Sequence, residues 1–427
     1  MSAIPHILNI FRKPKQAISG TYSSPVLSDY QEAQYVAFAY EHTKLAIGGD
    51  DNARCTLSVD PLEADYIYWN YVGNRATITV DNPVYPIFEG YIESVSIAQG
   101  AVKRVRSIAE MANRISVTYY AGSSAQTTMN SSATSIATYG AKEKTFDAGN
   151  KNAAGAGFAA ALAGRKLADL ASPPETFSPN SGSGYSVDIT IKGFYHTWDW
   201  QSNEVSNTTY PALPAPNPPA TSEDAITCIY RHILGANSGI AYSFASQNSS
   251  DVSGNGNGVF YNDLDLTRLT TSTVGWTRTK ERKGGQTTWQ YLQETVQAGD
   301  GVNRYVIGIA PTDFSTGYRK AYYLPANTDV EYTTDPQGTS RVFDVYGQPL
   351  RAWTVQPDRQ IQIADSSFGR SFAGTNTKYI SKVQYKAESQ EVTWATELDL
   401  SLDGVLGVGE YTKSTDALFG AAKKQIY

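Results

Sequence analysis

Cysteine is all but missing from this chain of 427 residues, which holds Cys55 and Cys228 and no others. Two thiols so far apart exclude a disulfide framework and a multi-cysteine zinc site. They read instead as reduced, buried side chains in a protein folded in a cytoplasm. Charge is scarce as well. Asp, Glu, Lys and Arg together make up 18% of the residues against 41% apolar ones, too little charge and too much apolar surface for a disordered chain. The net charge of −6 and pI near 5.4 exclude a nucleic-acid gripper, which needs a basic patch to displace counterions. Long apolar runs are absent too. The longest small-apolar stretch, 152–164, is too short and too rich in Ala and Gly to span a bilayer. The opening MSAIPHILNIFRKPK puts its basic residues after a short apolar stretch, the reverse of a signal peptide, so the expectation is a soluble protein without an address tag.

What is present is Tyr, Gly, Pro, Ser and Thr, a composition that suits β-sheets and partly buried interfaces. Residues 1–33, punctuated by Pro5, Pro14, Gly20 and Pro25, read as an irregular N-terminal arm. From 34 to 122 the segments AQYVAFAYEHTKLAI, ARCTLSVD, DYIYWNYVG, RATITVD and YPIFEGYIESVSI alternate apolar and polar residues and predict a first small antiparallel β-barrel. Helical patterns are expected at 106–115, at 131–140 and at 150–170, the last ended by Pro173 and Pro174, which makes 123–186 a helical connecting domain. SVDITIKGFYHTWDW alternates as a strand with Trp198 and Trp200 on one face. This stretch, 187–210, pairs in expectation with 342–402 as a second β-barrel. Residues 211–341, with a proline-rich excursion near 210–220 and helices at 223–234 and 287–297, read as an inserted α+β domain, and 403–427 as a C-terminal tail. The fold class is therefore mainly β with short helices.

No catalytic constellation emerges. Cys228 and His232, four apart on an expected helix, share a face, but a packed thiol beside a polar helix residue explains them without nucleophilic chemistry. Asp251-x-Ser253-x-Asn255-Gly256 matches the start of a calcium loop, yet its twelfth position is Asn262 where such loops place a bidentate Glu. An Asn/Gly-rich surface turn is the plainer account. Asp263 and Asp265 lie on one side of a strand and read as a solvated face rather than a sugar-cleaving pair. The Gly-rich SGSG and GNGNG lack the Lys-Ser/Thr ending of a phosphate loop. We therefore expect no enzyme, no cofactor and no metal. The tryptophans carry more weight, since each ring buries roughly 150–250 Å². An exposed aromatic platform would suit sugar binding, but Trp198, Trp200, Trp289, Trp353 and the nearby Pro357 read as core or interface residues.

Ile136–Gly140, the small-residue helix, the Trp198/Trp200 segment, Trp289-x-x-Leu292 leading through AGDG into RYVIGIAP and YLPANTDVEY, Trp353-Thr-Val-Gln-Pro357-Asp-Arg359, Ile363-Ala-Asp365 and Tyr379–Tyr385 follow one another in a telling order. That order resembles the minor tail proteins of long-tailed phages, which are similar to the baseplate hub of contractile phages. The resemblance covers roughly residues 35–400. It implies two small β-barrels in tandem, the second interrupted by insertions, and a homotrimer presenting six barrels as a ring. Its implied partners are the tail tube and distal tail proteins above and tip, fibre or spike proteins below. Phage DNA would pass through the lumen unbound. The implied location is the virion tail tip, after synthesis in the host cytoplasm. Competing expectations are a receptor- or glycan-binding tail protein, a cell-wall hydrolase and a hexameric distal-tail ring protein.

Overall fold

In a computed structural model the chain is described at residues 6–11, 31–36, 38–80, 82–121, 124–139, 142–148, 155–181, 185–200, 222–224, 264–269, 277–279, 287, 289–290, 292–293, 296, 305–313, 318–334, 342–362 and 377–397. It is mostly β, with few helices. The first strands are β1 His6–Phe11, β2 Gln31–Val36, β3 Ala39–Leu45 and β4 Gly48–Leu57. Helix α1, Pro61–Asn70, precedes β5 Arg75–Val80, the long β6 Asn82–Gln99 and β7 Val102–Ser107.

A subdomain follows, with β8 Arg114–Ala121, β9 Ser124–Ser131, α2 Ala133–Tyr139, β10 Glu143–Asp147 and α3 Ala156–Leu170. The chain returns through β11 Glu175–Pro179 and β12 Tyr185–Gly193. Beyond lie β13 Ser222–Asp224, β14 Leu264–Leu269, β15 Thr277–Thr279, β16 Tyr305–Asp313 and β17 Tyr318–Pro325. The last strands are β18 Val330–Thr334, β19 Val342–Asp344, β20 Gln360–Gln362, β21 Thr377–Lys386 and β22 Glu391–Glu397.

Hydrogen-bonded ladders run β2–β1–β5–β6–β12–β4–β3–β21, antiparallel throughout. Side chains of β1, β3, β6 and β21 nevertheless meet ring against ring, so this β-body curls until distant strands face one another. Its core holds Leu8 and Ile10 of β1, Cys55 of β4, Ile78 of β5, Ile92 and Val95 of β6 and Val187, Ile189 and Ile191 of β12. A second core, built from Tyr332, Val342, Val355, Ile361, Ile380, Val383 and Val392, underlies a sheet in which β18 pairs with β19 and β20, and β21 with β20 and β22. In the subdomain, β8 lies between β9 and parallel β10. There Ala159 and Ala163 of α3 pack on Ile115 and Val117. Small residues bring this helix close to its own sheet, a contact within the chain.

The structure departs from the sequence reading at several points. The supposed N-terminal arm contains β1, paired on both sides and buried at Leu8 and Ile10, because HILNIF offers alternate apolar residues to the core. DYIYWNYVG lies mainly on a helix. Asp60 accepts hydrogen bonds from the amides of Leu62 and Glu63, and Pro61 starts the first turn, so capping overrides the β-propensity of Tyr, Ile and Trp. The helix expected at 106–115 is the end of β7, a turn and the start of β8. The stretch expected to build a second barrel with 342–402 starts instead with β12, whose partners are β4 and β6 of the β-body. Residues 123–186 carry strands as well as helices. Glu223 and Asp224 are in β13, paired with β15, and the rest of the helix expected at 223–234 lies outside the described residues, as does 403–427.

Candidate functional site

Three groups of side chains gather where other segments fasten onto the β-body, and a fourth faces outward from α1 and β11.

The tryptophans form the first. Phe194–Trp200 is a 3-10 turn rather than more strand, so Trp198 and Trp200 do not share a strand face. Five of its seven residues, Phe194, Tyr195, Thr197, Trp198 and Trp200, are buried, a density that a strand with one solvated face cannot supply. Trp198 stacks on Trp289 with centroids 5.7 Å apart, and Tyr195 lies 4.8 Å from the same indole. Residues 289, 290, 292, 293 and 296 are helical, and Trp289, Leu292 and Val296 join the main core. Trp200 meets Tyr91 edge-on at 5.1 Å. Trp353 is buried on a second short 3-10 turn, Ala352–Thr354, and Pro357 after it is half-buried.

The second is a ring cluster joining β1, β3 and β21. His6 Nε2 lies 3.1 Å from the Tyr385 hydroxyl, and His42 Nδ1 lies 2.7 Å from the Tyr40 hydroxyl. Trp353 approaches both His6 and Tyr385. The sequence reading raised a histidine only at His232, beside Cys228, and missed this packing. Burial, with Lys44 and His6 adding positive neighbours, holds the His42 imidazole well below the usual histidine range. Burial alone pushes the Cys55 thiol up, far from the range of reactive cysteines.

A third group is ionic and buried. Lys44 Nζ lies 3.2 Å from Asp50 and donates to Gln356 at 3.3 Å, while the Glu89 amide donates to Asp50 at 2.7 Å. Burial raises the Asp50 carboxyl, with Lys44 and the Glu89 amide opposing. Arg75 pairs with Glu89 at 2.5 Å, and its guanidinium covers the Phe11 ring. On the neighbouring face Asp51 accepts from Tyr195 at 2.5 Å and lies 2.9 Å from His196 Nε2. Burial pushes the Asp51 carboxyl up, but these two partners bring it below the usual range. A carboxylate holding two ring groups is a clamp, and no nucleophile accompanies it in the described cluster.

Finally, an aromatic face looks outward. Leu62 and Trp69 of α1 are 83% and 51% exposed, and Phe177 of β11 is 68% exposed. Arg106 stacks on Trp69 at 4.8 Å, Arg104 covers Tyr68 and pairs with Asp65, and the Tyr68 hydroxyl donates to Glu175. Strand β11 pairs with β7 on one side and has no other described partner. Trp69 lies in DYIYWNYVG, expected as a strand, and it is helix α1 that turns its ring outward.

Cys228, His232, Asp251, Asn262 and Asp263 lie outside the described residues; Asp265 falls in β14. Among the described residues no cluster of His, Cys, Asp and Glu has the makings of a metal site. Also among them, no helix is long and apolar enough to cross a membrane.

No family model matches the chain, and no curated protein does. Among solved structures, the chain is similar to the crystal structure of the tail protein from Neisseria meningitidis, at 7% identity and a TM-score of 0.37, over 87% of this chain and 96% of that one.

Proposed function

We propose that this chain is a structural tail protein of a phage, acting as the hub of the tail tip rather than as an enzyme. The observation that carries the reading is where the residues of the sequence resemblance sit. Trp289 and Leu292, the strand RYVIGIA, Trp353 and Tyr379–Tyr385 are far apart in the chain, yet all fasten later segments to the β-body. Such a shared layout is what a duplicated, interrupted barrel requires. In this reading the β-body and the sheet of β18–β22 are the two barrels. Three copies make a ring that meets a sixfold tail tube above and a threefold tip below. DNA slides through without specific contact, in keeping with the acidic balance. The outward face of Trp69 and Phe177 is a contact between subunits, since exposed aromatic patches mark interaction sites.

The experiment is the native mass of the protein, alone and extracted from particles. A threefold species on the tail tip supports the hub. A sixfold species moves the chain to the distal ring and removes the duplicated-barrel argument. Half-exposed Trp69, with arginines and carboxylates around it, favours a second reading, a receptor- or glycan-binding tail protein. Saturable binding of host surface polysaccharide, lost in Trp69→Ala, would favour that reading instead.

A further inference from the structure

The ring cluster at the joint between β1, β3 and β21 does more than pack. His6 and His42 are both buried there, on neighbouring parts of one cage. His42 faces Tyr385 across the β3–β21 ladder, their rings 5.4 Å apart. His6 reaches the same tyrosine from β1, and its ring lies 5.6 Å from Tyr40. Phe88 of β6 closes the cage on His42, and Trp353 closes it on His6.

The charge around the cage is set. On β3 stand Tyr40 and Lys44, on β4 Asp50 and Cys55, on β1 His6, on β21 Tyr385. Asp50 is the one carboxylate among these groups, and it is already engaged by Lys44 and the Glu89 amide. A proton on His42 therefore adds a second positive charge beside Lys44 without adding a counter-ion. It also removes an acceptor nitrogen from a wall made of hydroxyls and rings. Beyond the cage, β21 carries β20 and β22 and, through β20, β18. Among the described strands it is the one that joins this sheet to the β-body by a ladder, through β3.

We propose that His42 makes this joint acid-labile, so that β21 undocks from β3 and takes its sheet with it as the pH falls. The linkage has a definite sign. An imidazole held neutral in the docked state binds its proton less readily than the same imidazole in water. Docking is then strongest above about pH 6.5 and weakens by about tenfold per pH unit below it. The device stands apart from the assembly role, and an isolated protein tests it.

The experiment is amide hydrogen exchange on the full-length protein between pH 8 and pH 5, read as protection factors. Protection in β21 and β3 falls about tenfold per unit below about pH 6.5, while protection in β8 of the subdomain stays level. In His42→Phe the slope at β21 flattens. A β21 whose protection parallels that of β8 across the range overturns the proposal. A second measurement needs no variant. With four histidines in the chain, their ring resonances can be followed through the titration. His42 remaining neutral at pH values where β21 is still protected supports the device. His42 titrating in the ordinary range while β21 stays protected overturns it.

Discussion

Single residues set limits here that composition hides. A Cβ on Gly193 would overlap the carbonyl of Asp50, and one on Gly90 would overlap the carbonyl of Lys192. One on Gly308 would strike the Tyr322 hydroxyl and the backbone of Gly48. Strands β4, β6, β12 and β16 cross where these glycines lie, so the backbones come together because no side chain keeps them apart. We expect Gly193→Ala to destabilise by several kcal/mol, at or beyond the ~1–3 kcal/mol typical of overpacking, and to lower the thermal midpoint steeply. Gly157→Ala, with open space at its Cβ inside α3, should raise it by up to about 1 kcal/mol of stability. Lys142 gives a pH prediction. Its ammonium donates to the carbonyls of Ile108 and Ala109 and covers Trp200, but burial brings its pKa down to about 8. Between pH 8 and about 10.5 the unfolded chain keeps a proton that the folded one has released, so stability from this residue rises with pH. Urea midpoints of the native protein should gain on those of Lys142→Met across that window, by ~3 kcal/mol at most. A constant difference would contradict the assignment.

At the scale of elements, α1 is the instructive case. Asp60→Ala removes the acceptor for two amides and should cost about 1 kcal/mol, seen as a lower denaturant midpoint with an unchanged slope. The same cap was present in the sequence, as Asp-Pro before Leu-Glu, but Tyr66, Ile67, Tyr68 and Trp69 spoke for a strand. Local β-propensity lost to a capped first turn and to burial of Ala64, Ile67 and Tyr68 on one side. Alternation was legible where one face is buried, as in β3 and β12. It was legible in β5 as well, although both faces of that strand are buried, but not in β1, which is short and set among prolines. Pairing was the harder question. That β12 would lie between β4 and β6 follows from contacts distant in the chain, which a single sequence does not display. The buried tryptophans were legible as residue type and size. The His6–His42 cage was not, because six rings, from β1, β3, β6, β21 and the turn at Trp353, meet there only after the sheet has curled.

For the whole molecule, the prediction concerns assembly. Replacing Trp69 and Phe177 together by Ala and Ser should leave the melting temperature nearly unchanged, since both are largely exposed, yet hold the protein at the mass of one protomer. A variant that still forms the native oligomer would take this face out of the contact. Strand β6 has a different consequence. Its 18 residues serve β5 with the first half and β12 and β7 with the second, so three ladders share one continuous backbone. Tension along that strand loads its ladders in shear, many hydrogen bonds at once, whereas tension across it would open them one by one. The molecule should therefore be mechanically stiff in one direction and yielding in another, as a beam is along its grain.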